Sequence, residues 1–205
     1  MPGTRHRRRI AAVTLAGLVL AAAAKAALPM FETRLGPYPY PVLEVVQSAG
    51  GYGMEGPGVA WIPTGVAAAN LTYLVTHEIA HQWFYGIVGN DQARDPFADE
   101  AAADFVARDV LGIGRASRCA TATLDGSIYR YTSACYDETI YIQGGNLLQA
   151  ARNKMGSTAF WAAIRGNLAD NRWGLVETRT LLDALDAGTP VNLGSWWRGR
   201  FPTRY

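Results

Sequence analysis

Apolar and polar positions divide the chain into a short strand-forming part and a longer helical part. Residues 42–46 and 59–63 are rich in β-branched and other apolar side chains, a composition typical of strands. Between them, glycine and proline dominate residues 50–58, so this stretch does not form a helix. The pattern predicts a small β-sheet ahead of the helices, with the glycine-rich stretch at its edge.

The rest of the chain shows helical patterns separated by polar or glycine-containing breaks. Residues 66–85 are apolar nearly all round, apart from a few polar motif residues, which predicts a buried helix. After a loop at 86–96, an alanine-rich stretch predicts a second helix at 97–111. The remaining predictions are helices at 139–155, 158–170 and 177–185, an irregular exposed segment at 112–137, a break at 171–174, and an aromatic tail at 196–201 that caps the core. The predicted fold class is α+β, mostly helical with a small N-terminal β-sheet.

The N-terminal segment has the pattern of an export signal. It begins with an arginine-rich stretch, which is followed by an uncharged apolar run at residues 10–24. The sequence Ala-Lys-Ala at 24–26 offers a cleavage site with small residues on both sides. The apolar run is short for a helix that spans a membrane.

Two interpretations of this segment remain open. In the first, residues 1–27 are a signal peptide or membrane anchor, residues 28–205 form one globular domain, and the protein is secreted or associated with the cell surface or a membrane. In the second, the segment is an internal helix that packs on the domain through Leu28 and Phe31, and the protein is cytoplasmic.

The charge of the body differs from that of the leader. Five of the 19 basic residues and none of the 17 acidic residues lie in residues 1–28. The remainder of the chain therefore has 14 basic and 17 acidic residues, a net charge of −3. This mildly acidic body indicates no nucleic-acid partner. Cys119 and Cys135 lack the CxxC spacing of metal ligands. One disulfide in an oxidising compartment and two unpaired thiols are both consistent with them.

One motif combines metal ligands with a candidate base. His77, Glu78 and His81 are spaced as H-E-x-x-H within the predicted buried helix. Residues four apart lie on one helix face, so both imidazoles can bind one metal ion. A buried face with two histidines and a glutamate would be costly without a metal, and we predict one Zn²⁺ per chain. Glu78 would act as the general base on a zinc-activated water.

Acidic residues on the next predicted helix supply a third ligand. Glu100 is the best candidate, because the intervening 18 residues allow the chain to turn and return on a second helix. Asp99 and Asp95 compete with it from spacing alone. Asp104 lies one turn beyond Glu100 and could accept the second ring proton of a ligating histidine. The alternative for Asp104 is a solvated surface charge.

Three segments together resemble a known family. Residues 77–84 with Glu100 look like the zinc signature of the membrane alanyl aminopeptidases, the gluzincin family that includes leukotriene A4 hydrolase. Residues 53–55, Gly-Met-Glu, resemble the family's GxMEN motif, and residues 141–145 resemble its Tyr-x-Lys-Gly segment. The resemblance implies a thermolysin-like (zincin) catalytic domain with zinc as cofactor and peptides as substrates.

The resemblance also implies roles for the matching residues. Glu55 would bind the free α-amino group of a peptide, and Gly53 and Met54 would offer main-chain groups to its backbone. Tyr141 would hydrogen-bond the oxyanion of the tetrahedral intermediate. Without the resemblance, Glu55 could be a turn residue and Tyr141 a core aromatic.

The sequence departs from the family pattern at several positions. Gly56 replaces the asparagine of GxMEN, Gln143 the lysine, and Ala101 the glycine after the third ligand. The chain also has no room for the N-terminal β-domain of family members. The leading hypothesis is a zinc-dependent peptidase, an aminopeptidase by resemblance. The alternatives are an inactive or weakly active remnant that binds peptides, and a zinc hydrolase with a non-peptide substrate.

Overall fold

The computed structural model describes residues 15–114, 116–119 and 123–205. The α-helices are α1 Leu15–Leu35, α2 Ala68–Ala80, α3 Ala102–Leu111, α4 Ser133–Asp137, α5 Gly145–Met155, α6 Ser157–Asp170, α7 Thr178–Ala187 and α8 Gly194–Arg200. The strands are β1 Glu44–Ser48, β2 Met54–Gly56, β3 Val59–Pro63, β4 Gly89–Asn90 and β5 Leu175–Val176. Phe97–Ala101 and Glu138–Gly144 are π-helical and lead into α3 and α5, and Ile128–Arg130 is a 3₁₀ turn. The predicted α+β fold, mostly helical with a small sheet, is confirmed.

The first sheet has the strand order β1-β3-β2, with β1 parallel and β2 antiparallel to β3. The β2–β3 connection is tight: Pro57 fixes one turn position, and Gly58 adopts a φ of +80° that favours glycine. Strand β2 lies within the glycine-rich stretch, where the sequence pattern excluded a helix but did not reveal a strand. Within the described part of the chain, β2 forms an outer edge of this sheet.

Helix α1 packs into the core. Leu20, Ala24 and Phe31 are buried along it, and the Phe31 ring lies edge-on to Trp83 with centroids 5.7 Å apart. The basic start of the predicted leader falls in residues 1–14, outside the described residues. No helix among the described residues is long and apolar enough to cross a membrane. Export and cleavage of the segment stay predictions.

The observed helices differ from the predicted ones mainly at their ends. The helix predicted at 66–85 stops at Ala80. The chain then turns tightly, and a Cβ on Gly86 would lie 2.7 Å from the Gln82 carbonyl oxygen. The aromatic tail forms helix α8, and its Trp197 and Phe201 are fully buried, so it caps the core as predicted. Leu124 is also buried, although its segment was expected to be exposed.

The two cysteines are unpaired thiols in the described part of the chain. A hydrogen bond between Cys119 and Cys135, together with burial, raises the pKa of the Cys119 thiol to about 11. Cys119 also contributes its main-chain oxygen as an acceptor for Gln143 Nε2 at 2.6 Å. The loop with Cys119 is therefore attached to the π-helical segment Glu138–Gly144.

Candidate metal centre

The C-terminal end of α2 and the π-helical segment Phe97–Ala101 bring three ligand atoms together. His77 Nε2 lies 3.1 Å from His81 Nε2. Glu100 Oε2 lies 3.2 Å from the former and 3.3 Å from the latter. Both histidine side chains are buried, so the three atoms form a nearly equilateral triangle inside the protein.

The triangle has the dimensions of a tetrahedral zinc site. Ligand atoms at about 2.0–2.1 Å from zinc are about 3.3–3.4 Å apart. His81 Nδ1 donates to Asp99 Oδ1 at 2.6 Å, which leaves the lone pair of that ring on Nε2, facing His77 and Glu100. Two imidazole nitrogens and a carboxylate oxygen converge on one point at these distances, and this set of ligand atoms fits Zn²⁺.

The two other candidate ligands, Asp95 and Asp99, make different interactions. Asp95 accepts hydrogen bonds from the Thr178 main chain at 3.2 Å and pairs with Arg204 at 2.7 Å. Asp99 Oδ1 is only 2.6 Å from His81 Nδ1, which is a hydrogen-bond distance and shorter than two ligands of one zinc ion allow. Glu55, His81 and Asp99 also offer atoms within 4.8 Å of one another, and the same short contact argues against a second ion there.

Neither of the two alternatives for Asp104 describes its place in the structure, where its partners are Tyr73 and Arg108 rather than a ligating histidine. Asp104 is fully buried, accepts a hydrogen bond from the Tyr73 hydroxyl, and pairs with Arg108 at 2.6 Å. It is therefore not a solvated charge either. The second ring nitrogen of His81, Nδ1, is hydrogen-bonded to Asp99. The corresponding nitrogen of His77 has no hydrogen-bond partner among the described residues.

Glu78 lies beside the triangle and is largely buried. Burial, reinforced by the charges of Glu100 and Glu55 and opposed by the two histidines, raises the pKa of Glu78 to about 7. Gly53 lies directly against this carboxylate, because a Cβ there would fall 2.1 Å from Glu78 Oε1. Any larger side chain at this position would displace the Glu78 carboxylate from its present place.

The buried side chain of Gln82 links the strand that carries Glu55 to the turn that follows α2. Gln82 Oε1 accepts from the Gly58 main chain at 2.8 Å, and its Nε2 donates to Gly56 O at 2.9 Å. Because Gln82 directly follows His81, this places β2 beside the candidate ligands. Glu55 is partly buried, and the side chain of Met54 points largely into solvent.

Tyr141 lies on the second π-helical segment, against the candidate ligands. Its ring centroid is 5.3 Å from that of His77, and its hydroxyl is hydrogen-bonded to Glu100. Burial, together with the negative charge of Glu100, raises the pKa of the Tyr141 hydroxyl far above its usual range, so the group stays protonated as a donor. The two π-helical segments touch where Gly144 packs against Ala101. A Cβ on residue 144 would lie 2.6 Å from the Ala101 Cβ.

An open cleft of about 240 Å³ exposes these groups to solvent. It is lined by Tyr52, Gly53, Tyr73, Leu74, His77, Glu78, Asp137, Tyr141 and Ile142. A larger cavity of about 780 Å³ shares Tyr73 and Leu74 with it. The two cavities therefore lie next to each other along α2.

Sequence reasoning missed two polar groups of this site. Gln92 donates hydrogen bonds to both Glu55 and Asp99, and Tyr73 lines the cleft next to His77. Gln92 lies in a loop without periodic pattern, and no motif named it. Tyr73 could have been found, because it lies four residues before His77 on the same helix face.

Solved structures with a similar fold include an M1 zinc metallopeptidase, an aminopeptidase and an LTA4 hydrolase. An M1 zinc metallopeptidase from Deinococcus radiodurans matches with a TM-score of 0.74 at 21% identity, over 96% of this chain and 48% of that chain. Aminopeptidase A from Legionella pneumophila, in complex with aspartic acid, matches with a TM-score of 0.75 at 16% identity, over 87% and 24%. Yeast LTA4 hydrolase matches with a TM-score of 0.72 at 16% identity, over 95% and 38%.

These likenesses establish the fold. The sequence matches no family model and no curated protein. The chain spans less than half the length of each of the three solved chains. The catalytic-domain fold that the resemblance implied is thus supported by structural similarity to M1 zinc metallopeptidases.

Proposed function

We propose that the chain is a zinc-dependent peptidase that prefers substrates with a free amino terminus. The observation that carries the proposal is the triangle of His77 Nε2, His81 Nε2 and Glu100 Oε2, with sides of 3.1–3.3 Å and Glu78 beside it. The fold shared with M1 zinc metallopeptidases supports the same reaction class.

The chemistry divides between the ion and the surrounding side chains. Zinc held by the triangle would polarise the scissile carbonyl and lower the pKa of a water molecule toward about 7. Glu78 accepts the proton of the attacking water and returns it to the leaving amine. Tyr141, a protonated hydroxyl beside His77, donates a hydrogen bond to the oxygen on which negative charge develops.

Substrate binding involves strand β2. A peptide that lies along this edge can pair with the main-chain groups of Gly53 and Met54. The Glu55 carboxylate lies within 4.8 Å of a ring nitrogen of His81 and can pair with the α-ammonium group at the end of that peptide. An ammonium bound there would place the first peptide bond near the triangle, which favours removal of single amino-terminal residues.

Aminoacyl-amidomethylcoumarin substrates test this proposal. The zinc-loaded protein is expected to release the coumarin, a chelator to stop the reaction, and Glu78→Gln to lower kcat by about 10²–10⁴-fold with zinc retained. A substrate with a blocked amino terminus should react more slowly than its free-amine form. Zinc binding without turnover, unaffected by Glu78→Gln, would instead favour a peptide-binding module.

A further inference from the structure

Gln92 joins the carboxylate proposed to bind substrate to the carboxylate that holds a candidate zinc ligand. Its Nε2 donates to Asp99 Oδ2 at 2.6 Å and also to Glu55 Oε1. The other oxygen of Asp99 accepts from His81 Nδ1 at 2.6 Å. One side-chain amide therefore connects Glu55 to His81 through Asp99.

A neutral group with two donor hydrogens suits this place. Glu55 and Asp99 belong to one cluster whose atoms lie within 4.8 Å of one another, so their charges repel. The amide nitrogen of Gln92 gives one hydrogen to each carboxylate and adds no charge. A lysine could bridge them too, but it would cancel the negative charge that attracts a substrate ammonium. The opposite amide orientation would direct the carbonyl oxygen at two carboxylates.

The loop around Gln92 is fixed by its own hydrogen bonds. The Asp95 main-chain nitrogen donates to Asp91 O at 2.7 Å, and Asn90 Nδ2 donates to Asp95 O at 2.8 Å. Asn90 also belongs to β4, which pairs with β5. Since the loop is braced on both sides of Gln92, its amide can hold the two carboxylates in place.

We propose that Gln92 is a positioning residue for both halves of the site. Toward the metal, it orients Asp99 so that His81 keeps its proton on Nδ1 and directs Nε2 at the ion. Toward the substrate, it holds Glu55 where an α-ammonium group binds. The second half rests on the proposed function, whereas the first concerns zinc affinity alone.

Gln92→Leu removes both donors at nearly constant volume. Gln149→Leu is the matched control, because Gln149 lies on α5 and its side-chain partners in the described part of the chain are its helix neighbours Asn153 and Arg152. Zinc affinity is measured by competition with a chromophoric chelator, and thermal unfolding of the metal-free proteins confirms that each variant folds. We expect zinc affinity to fall at least about tenfold in Gln92→Leu and to stay unchanged in the control.

The second readout is discrimination between free-amine and blocked substrates. Loss of a hydrogen bond to the charged Glu55 should raise KM for the free-amine substrate and lower the kcat/KM ratio of free to blocked substrate by about tenfold. The proposal is overturned if Gln92→Leu binds zinc as the wild type does, or if it keeps the wild-type ratio. A wild type that binds zinc but turns over neither substrate contradicts the proposed function instead, and the zinc affinity of Gln92→Leu then decides the role of Gln92.

Discussion

Gly144 lies against Ala101 so closely that a Cβ on Gly144 would come within 2.6 Å of the Ala101 Cβ. This contact joins the π-helical segment that carries Glu100 to the one that carries Tyr141. The same two segments are also linked by the hydrogen bond between the Tyr141 hydroxyl and Glu100. Two small residues thus lie where the segment with a candidate zinc ligand meets the segment with a candidate oxyanion donor.

Gly144→Ala should force the two segments apart. We expect the free energy of unfolding to fall by about 1–3 kcal/mol, because the methyl group overpacks a closed contact, and kcat to fall as Tyr141 moves. Chemical denaturation and steady-state kinetics measure the two effects. The control is Gly166→Ala on α6, where a Cβ meets nothing within 4 Å in the described part of the chain. Equal free energies of unfolding and equal kcat values in the two variants would show that the Gly144–Ala101 contact is not close enough to matter.

Gly53→Ala tests the contact with the candidate base. A Cβ would lie 2.1 Å from Glu78 Oε1, so the carboxylate must move, and we expect kcat to fall by about 100-fold while zinc stays bound. Gly51→Ala in the same loop is matched to it, since a Cβ there meets nothing within 4 Å among the described residues. If Gly53→Ala loses zinc, or if both variants have the same kcat, displacement of the Glu78 carboxylate does not explain the result.

Asp99→Asn tests the hydrogen bond that orients His81. The amide can still accept from Nδ1 but loses the negative charge, so we expect zinc affinity to fall by about 10–100-fold. The exposed Asp170 at the end of α6 supplies the control substitution Asp170→Asn. Chelator competition at fixed pH measures both. An Asp99→Asn protein with wild-type zinc affinity would show that Asp99 does not support the site.

Asp104→Ala should affect stability rather than metal binding. It leaves Arg108 buried without its carboxylate partner, which costs about 3–5 kcal/mol of unfolding free energy. Arg108 also donates to the main-chain oxygens of Tyr141 and Ile142 at 3.4 Å each, so kcat should fall as well. Zinc stoichiometry should remain that of the wild type. Loss of zinc from a folded Asp104→Ala protein would restore the ligand-supporting role expected from sequence.

Patterns with a fixed spacing were the reliable part of the sequence analysis. Strand β3 matched its predicted bounds, and residues four apart on α2 brought His77 and His81 onto one face, as helical geometry requires. Glu100 joined them because the intervening loop returns the chain to the same place. These features depend on local geometry, which one sequence contains.

Features that depend on tertiary packing were not predictable in the same way. The spacing of Asp104 relative to Glu100 allowed a histidine partner. In the structure, Asp104 instead forms an ion pair with the buried Arg108, one turn further along the helix. Gln92 contacts Glu55 because the folded chain brings β2 next to the loop after α2. Strand β2 itself is three residues long and embedded in glycine, so its pairing with β3 decides its conformation.

The zinc content of the purified protein tests the central claim most directly. After dialysis against metal-free buffer and reconstitution with a slight excess of zinc, elemental analysis should find one zinc per chain. His81→Ala, which removes one corner of the triangle, should bind none under the same conditions. A folded wild-type protein without zinc, or a His81→Ala protein with a full equivalent, would contradict the assignment of the triangle as the metal site.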